Sequence, residues 1–224
     1  MLLGMLCMAQ AKDRIVERPP FLAQNSSSIE IDKIVMSDTV TTVYIKAFYR
    51  PKYWIKIATG SVLKDNNGIL YPIRKGIGIT LDKEFWMPES GEAEFQLTFP
   101  PIPQNVTRLD FSEGDFEGAY KIWGIQLDKK SFGKFKLPKD VIVPKADHKM
   151  TLPDPIVKYD KAILKGRILD YQKGMPDKGS LYYQDVIREG AQEGKIRIQD
   201  DGTFYHEMNV FMITPCTIMS PFGT

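Results

Sequence analysis

Apolar and polar residues alternate with a period of two along several stretches, and this pattern limits the fold of the chain more than any other feature. In residues 43–50, one face carries valine, isoleucine, alanine and tyrosine, and the other carries tyrosine, lysine, phenylalanine and arginine. Residues 95–99 and 195–199 repeat the alternation. A strand with one face on a core and the other in water has this pattern. The sequence therefore predicts an all-β protein.

The composition excludes several classes of protein. Of the 224 residues, 43% are hydrophobic and 26% are charged, which is the usual balance of a folded domain. The net charge of +2 gives no broad field that would attract nucleic acid. With 2 Cys and 2 His, the chain has too few ligands for a structural zinc site or a disulfide framework. No apolar stretch reaches the roughly 20 residues that span a bilayer, so peripheral or no membrane contact is expected.

Residues 1–11 are interpreted as the remnant of a secretory signal peptide. They carry no charge and end in Ala9-Gln10-Ala11, a small-x-small triplet typical of signal peptidase cleavage. The apolar run is short and lacks basic residues, so the true start is expected upstream of Met1; a buried N-terminal strand or helix is the alternative. Cys7 follows Leu6, which is bulkier than the small residue that precedes the cysteine in a lipoprotein signal. Export to the periplasm or cell envelope is expected, and Cys216 is then the one thiol left, predicted to be a small buried hydrophobe.

Turn signals divide the first half of the chain into short strands. Ser37-Asp38, Asp65-Asn66-Asn67-Gly68 and Pro88-Glu89-Ser90-Gly91 separate them, and Asn-Gly is the strongest hairpin signal. The predicted strands are residues 29–36, 40–49, 54–63, 69–73, 93–99, 109–111 and 120–127. Seven or eight short strands in roughly a hundred residues is the number found in an immunoglobulin-like sandwich, which is predicted for residues 19–127. Gly76-Ile77-Gly78 is predicted to be a bend or bulge.

Residues 128–155 change in character and are predicted to be a linker, because they are rich in lysine and proline and poor in large apolar residues. Their lysines indicate a solvated surface or, alternatively, a site for an anionic partner. A second β unit follows over 156–224. Its predicted strands are residues 162–171, 195–199, 203–211 and 213–219, and 181–187 is either a strand or a short helical turn. Gly190 and Gly194 are expected to bracket a loop, and the abrupt ending after an apolar strand is expected to mark a truncation.

The chain carries no recognisable catalytic or metal-binding motif. No H-x-x-H, C-x-x-C, nucleophile elbow, Walker loop or dinucleotide fingerprint occurs, so no catalytic residue, cofactor or metal ligand is predicted. His148 lies in the linker, and His206 alternates in phase with Phe204, which predicts packing on or near a core face. The acidic residues of 110–117 are a weak candidate for a calcium site, because they lack the regular spacing of such loops.

Tyr49, Tyr53 and Trp54 form a dense aromatic group. One interpretation places them in the sandwich core, since each aromatic ring buries a large area. The other places them on the surface, as a platform on which sugar rings stack. The spacing alone leaves both open.

Four stretches of the first unit carry a resemblance to a known family. They are Pro20-Phe21-Leu22-Ala23-Gln24-Asn25, Tyr49-Arg50-Pro51-Lys52-Tyr53-Trp54-Ile55, Glu84-Phe85-Trp86-Met87-Pro88-Glu89-Ser90-Gly91 and Lys121-Ile122-Trp123-Gly124-Ile125. Together they resemble the N-terminal region of thiol-disulfide oxidoreductases of the TlpA type found in Bacteroidetes. In that family a signal peptide leads into a β-sandwich, then a second β unit, and then a thioredoxin-like domain with a catalytic C-x-x-C. No C-x-x-C is present here, so the resemblance implies only the accessory part of such a protein.

Residues 162–170 carry a glycine, an isoleucine and an aspartate at alternate positions, and residues 200–204 carry an Asp-Gly turn followed by a phenylalanine. In these features the second unit is similar to the carboxypeptidase-regulatory-like sandwich. Residues 162–170 match its G-x-(I/V)-x-D strand, and residues 200–204 match its later D-G-x-F turn. In this turn Gly202 is expected to supply a positive φ after Asp201, and Phe204 is expected to enter the core.

Three functions follow as hypotheses. The first is a non-catalytic exported accessory module that binds a protein partner or positions its own absent redox domain. The second is a cell-surface module that binds carbohydrate or protein through Tyr49, Tyr53 and Trp54. The third is a hydrolase, which needs two carboxylates in one concave pocket. No nucleic-acid partner is expected.

Overall fold

A computed structural model describes residues 13–128, 149, 151, 154, 156–184, 187, 190–212 and 214–219. Within these ranges the secondary structure consists of seventeen strands and no helix, and every pair of neighbouring strands is antiparallel. This confirms the predicted all-β class. The chain forms two compact units that divide between Phe132 and Gly133, and we call them unit 1 and unit 2.

Unit 1 contains two five-stranded sheets and a small two-stranded ribbon. The first sheet has the order β1-β3-β4-β10-β8, the second has the order β2-β12-β11-β6-β7, and the ribbon pairs β5 with β9. The strands are β1 (Arg14–Glu17), β2 (Ala23–Gln24), β3 (Ile29–Met36), β4 (Thr41–Phe48), β5 (Trp54–Ile55), β6 (Val62–Asp65), β7 (Leu70–Pro72), β8 (Lys75–Ile77), β9 (Phe85–Trp86), β10 (Glu92–Phe99), β11 (Arg108–Ser112) and β12 (Lys121–Gln126).

One hydrophobic core lies between the two five-stranded sheets. Leu97 and Val43 from the first sheet and Leu63 and Leu109 from the second belong to the same buried cluster. The period-two pattern explains the inward side chains, because Leu97 lies opposite Val43 in the β4–β10 pair and both point away from water. Burying each such side chain contributes about 1.5–3 kcal/mol. Unit 1 is therefore a β-sandwich.

The predicted strand over residues 54–63 is wrong in one respect, because it is divided into β5 and β6. Between them the buried Ile57 accepts a hydrogen bond from the backbone N–H of Asp82 at 2.8 Å, and Ser61 closes a turn onto the carbonyl of Ala58 at 3.1 Å. These two hydrogen bonds fold the chain between β5 and β6 into a loop, so one continuous strand is not possible. The Asn-Gly hairpin is present between β6 and β7, with Gly68 at φ 84°.

Unit 2 is built from smaller sheets. β13 (Asp160–Arg167) pairs with β16 (Thr203–Val210), and a second sheet has β14 (Lys178–Gln184) between β15 (Ala191–Arg197) and β17 (Cys216–Met219). Residues 181–184 of the segment 181–187 thus belong to β14. For these residues the strand interpretation is confirmed and the helical turn is wrong. The buried hydrophobic residues that the structure describes in unit 2 are Met175, Leu181, Ile196 and Ile198.

The turn predicted at Asp201 and Gly202 is present before β16. Gly202 has φ 83°, and the Asp201 carboxylate accepts hydrogen bonds from the N–H and hydroxyl of Thr203 at 3.0 and 2.7 Å. Phe204 follows and covers Gly166 so closely that a Cβ there would lie 2.5 Å from the phenyl ring. Phe204 is half-buried, so its ring packs over the backbone of β13.

Two predictions for unit 2 are wrong. Gly194 lies inside β15, opposite Leu181, and not beside a loop. A glycine suits this strand position because the imidazole of His206 occupies the space that a side chain would need. Cys216 is exposed and not buried, because it begins β17, an edge strand whose four residues all face solvent. The signal remnant 1–11, most of the linker 128–155 and His148 lie outside the described residues.

Candidate ligand-binding surface

The β5–β9 ribbon presents two tryptophans to solvent. Trp54 lies directly opposite Trp86, and Ile55 lies opposite Phe85. Side chains alternate across a strand, so the two tryptophans share one face of the ribbon and Ile55 and Phe85 share the other. Ile55 is buried and packs into the sandwich core, whereas Trp54 is 44% exposed and Trp86 is 59% exposed. We call Trp54 and Trp86 the tryptophan pair.

The other two aromatic residues of the predicted platform form a separate contact. The rings of Tyr49 and Tyr53 meet edge to face, with centroids 6.3 Å apart and planes at 89°. The Arg50 guanidinium lies 5.7 Å from the Tyr53 ring centroid, within the range of a cation–π contact. We call Tyr49 and Tyr53 the tyrosine pair. Tyr53 directly precedes β5 and, at 53%, is about as exposed as the two tryptophans.

The predicted platform is thus exposed, and the interpretation of its residues as core is wrong. Tyr49, Tyr53 and Trp54 are 40%, 53% and 44% exposed. The rings of Tyr49 and Tyr53 contact each other, whereas Trp54 pairs with Trp86 across the ribbon. Sequence reasoning missed Trp86 as a site residue. The available signal was the similarity of Tyr53-Trp54-Ile55 to Phe85-Trp86-Met87, since antiparallel pairing of two such triplets places the tryptophans opposite each other.

Backbone contacts hold the ribbon in place. Met87 is buried, and its N–H donates to the Tyr53 carbonyl at 2.8 Å while its own carbonyl accepts from Lys52 at 3.2 Å. Lys52 has φ 63°, a left-handed conformation in a tight turn closed by the Tyr53 N–H on the Arg50 carbonyl at 3.1 Å. The surface is therefore attached to the core on its inner side and needs little ordering when a ligand binds.

The backbone of Gly91 lies close to the backbone of Tyr49, and this contact joins the two segments that carry the aromatic pairs. Gly91 has φ 72°, and a Cβ at this position would lie 2.7 Å from the carbonyl oxygen of Tyr49. The N–H of Tyr49 in turn donates to the Gly91 carbonyl at 2.9 Å. Only glycine suits both the positive φ and the short approach.

Charges around the ribbon balance. Residues 48–55 contribute Arg50 and Lys52, and residues 84–91 contribute Glu84 and Glu89. Lys52 and Glu89 form an exposed ion pair at 2.9 Å. The surface thus carries polar groups around its rings without a net charge.

In the acidic segment 110–117, Asp110 and Glu113 each bind a different part of the backbone and do not form a common site. Asp110 accepts from the N–H of Gly124 at 2.7 Å and lies 3.5 Å from the Lys64 ammonium. Glu113 accepts from the N–H groups of Ala58 and Tyr120 at 2.8 and 2.9 Å, and burial raises the pKa of its carboxyl. The described residues contain no cluster of three or more His, Cys, Asp or Glu side chains that suits a metal, so nothing supports the candidate calcium site.

Two surface pockets contain carboxylates, and these carboxylates have partners. A pocket of about 500 Å³ lies on the outer face of the first sheet, where Lys46 approaches Asp32 at 3.0 Å and Glu94 at 3.9 Å. A pocket of about 900 Å³ in unit 2 is lined by two ion pairs, Lys173–Asp200 at 2.8 Å and Arg197–Asp177 at 3.6 Å.

Comparison with known proteins gives no identification. No protein family model, curated protein or solved structure matches the chain. Within the described ranges no helix is long and apolar enough to cross a membrane.

Proposed function

We propose that this chain is a non-catalytic binding module and that unit 1 holds its partner through the tryptophan pair. The observation that carries this proposal is that Trp54 and Trp86, 44% and 59% exposed, pair directly across the β5–β9 ribbon, which the buried Ile55 attaches to the core. Large exposed apolar groups held together on a surface mark interaction sites. Tryptophan is among the residues most enriched in binding hot spots.

The shape of the ribbon supports binding more than catalysis. Indole rings offer a large and stiff contact area with one N–H donor, so they lose little conformational entropy on binding. The groups around them balance in charge and are exposed to water. Acid–base chemistry needs a positioned side chain of perturbed pKa inside a cleft, whereas the ribbon exposes aromatic rings.

The larger context of the proposal is the exported accessory part of a TlpA-type thiol-disulfide oxidoreductase. Its support is the order of the two antiparallel β units and the turn at Asp201 and Gly202, together with the motifs quoted above. In this context unit 1 is an immunoglobulin-like sandwich, unit 2 is a carboxypeptidase-regulatory-like unit, and electron transfer belongs to a separate thioredoxin-like domain. The module acts in the cell envelope, where it docks a protein partner or positions that domain.

A redox assay and a binding assay test the proposal together. Insulin reduction by dithiothreitol is expected to be no faster with the full chain than with the variant Cys7→Ser/Cys216→Ser. Immobilised wild-type chain is expected to retain envelope components that the double variant Trp54→Ala/Trp86→Ala releases, with equal thermal melting of both chains. Clear acceleration of insulin reduction, or equal retention by both chains, would contradict the proposal.

A second candidate function is a free-standing cell-surface module for carbohydrate or protein. The observation that favours it is the exclusively aromatic character of the exposed apolar residues around the ribbon. Deleting the reading frame that follows this chain in the genome distinguishes the two candidates. Loss of a thioredoxin-dependent phenotype supports the accessory role, whereas unchanged surface binding supports the free-standing module.

A further inference from the structure

We propose that Asn67 is a site of spontaneous deamidation, and that the loss of its amide loosens the turn between β6 and β7. In this reaction the backbone nitrogen of Gly68 gives up its proton and bonds to Cγ of Asn67, and the side-chain amide leaves as ammonia. One water molecule then hydrolyses the cyclic imide. Cleavage of its bond to Cγ leaves aspartate, and cleavage of its bond to the main-chain carbonyl carbon leaves isoaspartate. This site is separate from the ribbon of the proposed binding function.

Asn67 and Gly68 lie at the tip of the β6–β7 hairpin, where both are exposed. Asparagine is one of the chemically labile residues of proteins. Because Gly68 has no side chain, nothing on its own Cα shields its nitrogen from the neighbouring amide. Apart from the two residues adjacent in the chain, no atom lies within 4 Å of the position that a Cβ would occupy. Both reacting residues are therefore open to water.

The chain has five asparagines, and Asn67 is the one that a glycine follows. Asn25 offers the clearest contrast, because its side chain donates to the Ala119 carbonyl at 2.8 Å and accepts from the Lys121 N–H at 2.8 Å. An amide held at both ends cannot swing toward the next backbone nitrogen. Valine or asparagine follows the others, which are Asn66, Asn105 and Asn209.

One backbone hydrogen bond and one carboxylate control the rate of the reaction. The N–H of Gly68 donates to the Asp65 carbonyl at 3.0 Å, so this bond must open before the nitrogen attacks. The buried Asp65 carboxylate accepts from the N–H groups of Asn67 and Ile69 at 2.8 and 2.9 Å. Its second oxygen accepts from the Tyr71 hydroxyl at 3.1 Å. Exposed turns open locally at a low cost in free energy, so these openings set the rate and Asp65 slows it.

Both products disturb the Asp65 carboxylate. Aspartate at position 67 adds a negative charge two residues away from it. Isoaspartate lengthens the main chain by one methylene, which moves the N–H groups of residue 67 and Ile69 relative to the carboxylate. A buried carboxylate that loses its donors is costly, so the turn opens more often after the reaction. β7 is the edge strand of the second sheet, and the loosening is expected at this edge.

Ageing of the purified full chain in mildly alkaline buffer, followed by tryptic digestion and mass spectrometry, tests for this site. Cleavage after Lys64 and Arg74 releases Asn67 in one peptide, and fragmentation of that peptide distinguishes Asn67 from Asn66. The peptide that contains Asn25 is the internal reference. Asn67 is expected to lose its amide at least about tenfold faster than Asn25. Labelling by a protein isoaspartyl methyltransferase identifies the isoaspartate.

Two variants test the chemistry and its control by the turn. Asn67→Gln is the matched control, because its longer side chain would have to close a larger ring, and it is expected to keep its amide. Asp65→Ala removes the carboxylate that closes the turn and is expected to raise the rate at Asn67 several-fold. Hydrogen exchange of the Ile69 amide is expected to become faster in the aged wild type and to stay unchanged in aged Asn67→Gln. Thermal melting confirms that each variant is folded.

Other outcomes would overturn the site or its effect. If Asn67 keeps its amide in the aged chain while a synthetic peptide of residues 65–74 loses it, the folded turn prevents the reaction and Asn67 is not a site. Equal rates at Asn67 and Asn25 would mean that the reaction follows global unfolding and not opening of the turn. Unchanged exchange at Ile69 after conversion of Asn67 would disprove the loosening of the turn.

Discussion

The two units of this protein use the same antiparallel strands but stabilise them differently. In unit 1, two five-stranded sheets enclose one continuous hydrophobic core. In the described part of unit 2, Leu181 is the one large side chain that is fully buried, and aromatic rings instead lie against glycines, as Phe204 does against Gly166. The comparison teaches that the same period-two alternation builds a thick core only where two sheets can face each other.

Buried carboxylates mark a further difference, because among the described residues they occur in unit 1. In unit 1, Glu113 and Asp110 are buried and bind backbone N–H groups, so they fix loops from inside. In unit 2, Glu207 and Asp200 lie on the surface and pair with lysines. Buried hydrogen bonds of carboxylates stabilise specific loop conformations, whereas exposed ion pairs contribute little.

The largest expected effect is on the core of unit 1. Phe99 is fully buried at the end of β10, and Phe99→Ala leaves a cavity that should cost about 3–5 kcal/mol of unfolding free energy. Urea unfolding followed by the fluorescence of the buried Trp123 measures it. Gln96→Ala, on the outward face of the same strand, is the control and should change the free energy by less than about 0.5 kcal/mol. A cost below about 1 kcal/mol for Phe99→Ala would contradict a core enclosed by both sheets.

Unit 2 should instead be sensitive to added volume. Gly166→Ala places a Cβ 2.5 Å from the Phe204 ring, and such overpacking should cost about 1–3 kcal/mol. Hydrogen exchange of the β13 and β16 amides measures the loss in unit 2 separately from unit 1. The double variant Gly166→Ala/Phe204→Ala should recover part of the stability that Gly166→Ala loses relative to Phe204→Ala. If Gly166→Ala changes nothing, Phe204 does not pack on this backbone.

The sequence predicted most strands because alternation is a local property. β3 was predicted at its observed bounds, Ile29–Met36, and the hairpin between β6 and β7 was predicted from the Asn67-Gly68 dipeptide in its turn. Contacts between distant residues were harder to predict. Gly194 looks like a loop residue until His206 is placed beside it, and nothing near Ile57 in the sequence indicates its hydrogen bond with Asp82.

Only part of the candidate site was predicted, because the sequence shows which residues are neighbours along the chain and not which distant residues pair. The density of aromatic residues near Trp54 is visible in the sequence, so a ligand platform was one of two interpretations. The partner Trp86 lies 32 positions later, and its place depends on the pairing of β5 with β9. Whether an aromatic residue is buried or exposed depends on which face of a ribbon meets the core, and local composition does not contain that information.

A smaller effect is expected at the buried carboxylate of unit 1. Both oxygens of Glu113 accept backbone N–H groups, so in Glu113→Gln the amide NH₂ must oppose one of them, at a cost of about 1–2 kcal/mol. Urea unfolding at pH 7 measures this cost.

The same carboxyl makes the stability of unit 1 depend on pH. Burial raises the pKa of Glu113 in the folded chain above its unfolded value, so the folded state favours the protonated form. This contribution to stability is fully present below the unfolded pKa and is lost as the pH rises through the folded pKa. In the variant Glu113→Gln, the free energy of unfolding should no longer change with pH in this range. An identical profile in wild type and variant would show that Glu113 is not the group that titrates.

The smallest effect is expected at the surface ion pair of unit 2, which makes the sharpest comparison with Glu113. Glu207 lies 2.6 Å from the Lys161 ammonium, and this hydrogen bond and charge lower the pKa of the Glu207 carboxyl. Its stabilisation is therefore present above the unfolded pKa and is lost as the pH falls through the folded pKa. Because water and salt screen an exposed pair, Glu207→Gln should leave the urea midpoint of unit 2 unchanged at physiological salt. If Glu207→Gln instead destabilises unit 2 as much as Glu113→Gln destabilises unit 1, exposed ion pairs do replace a core in unit 2, and the distinction between the two units is wrong.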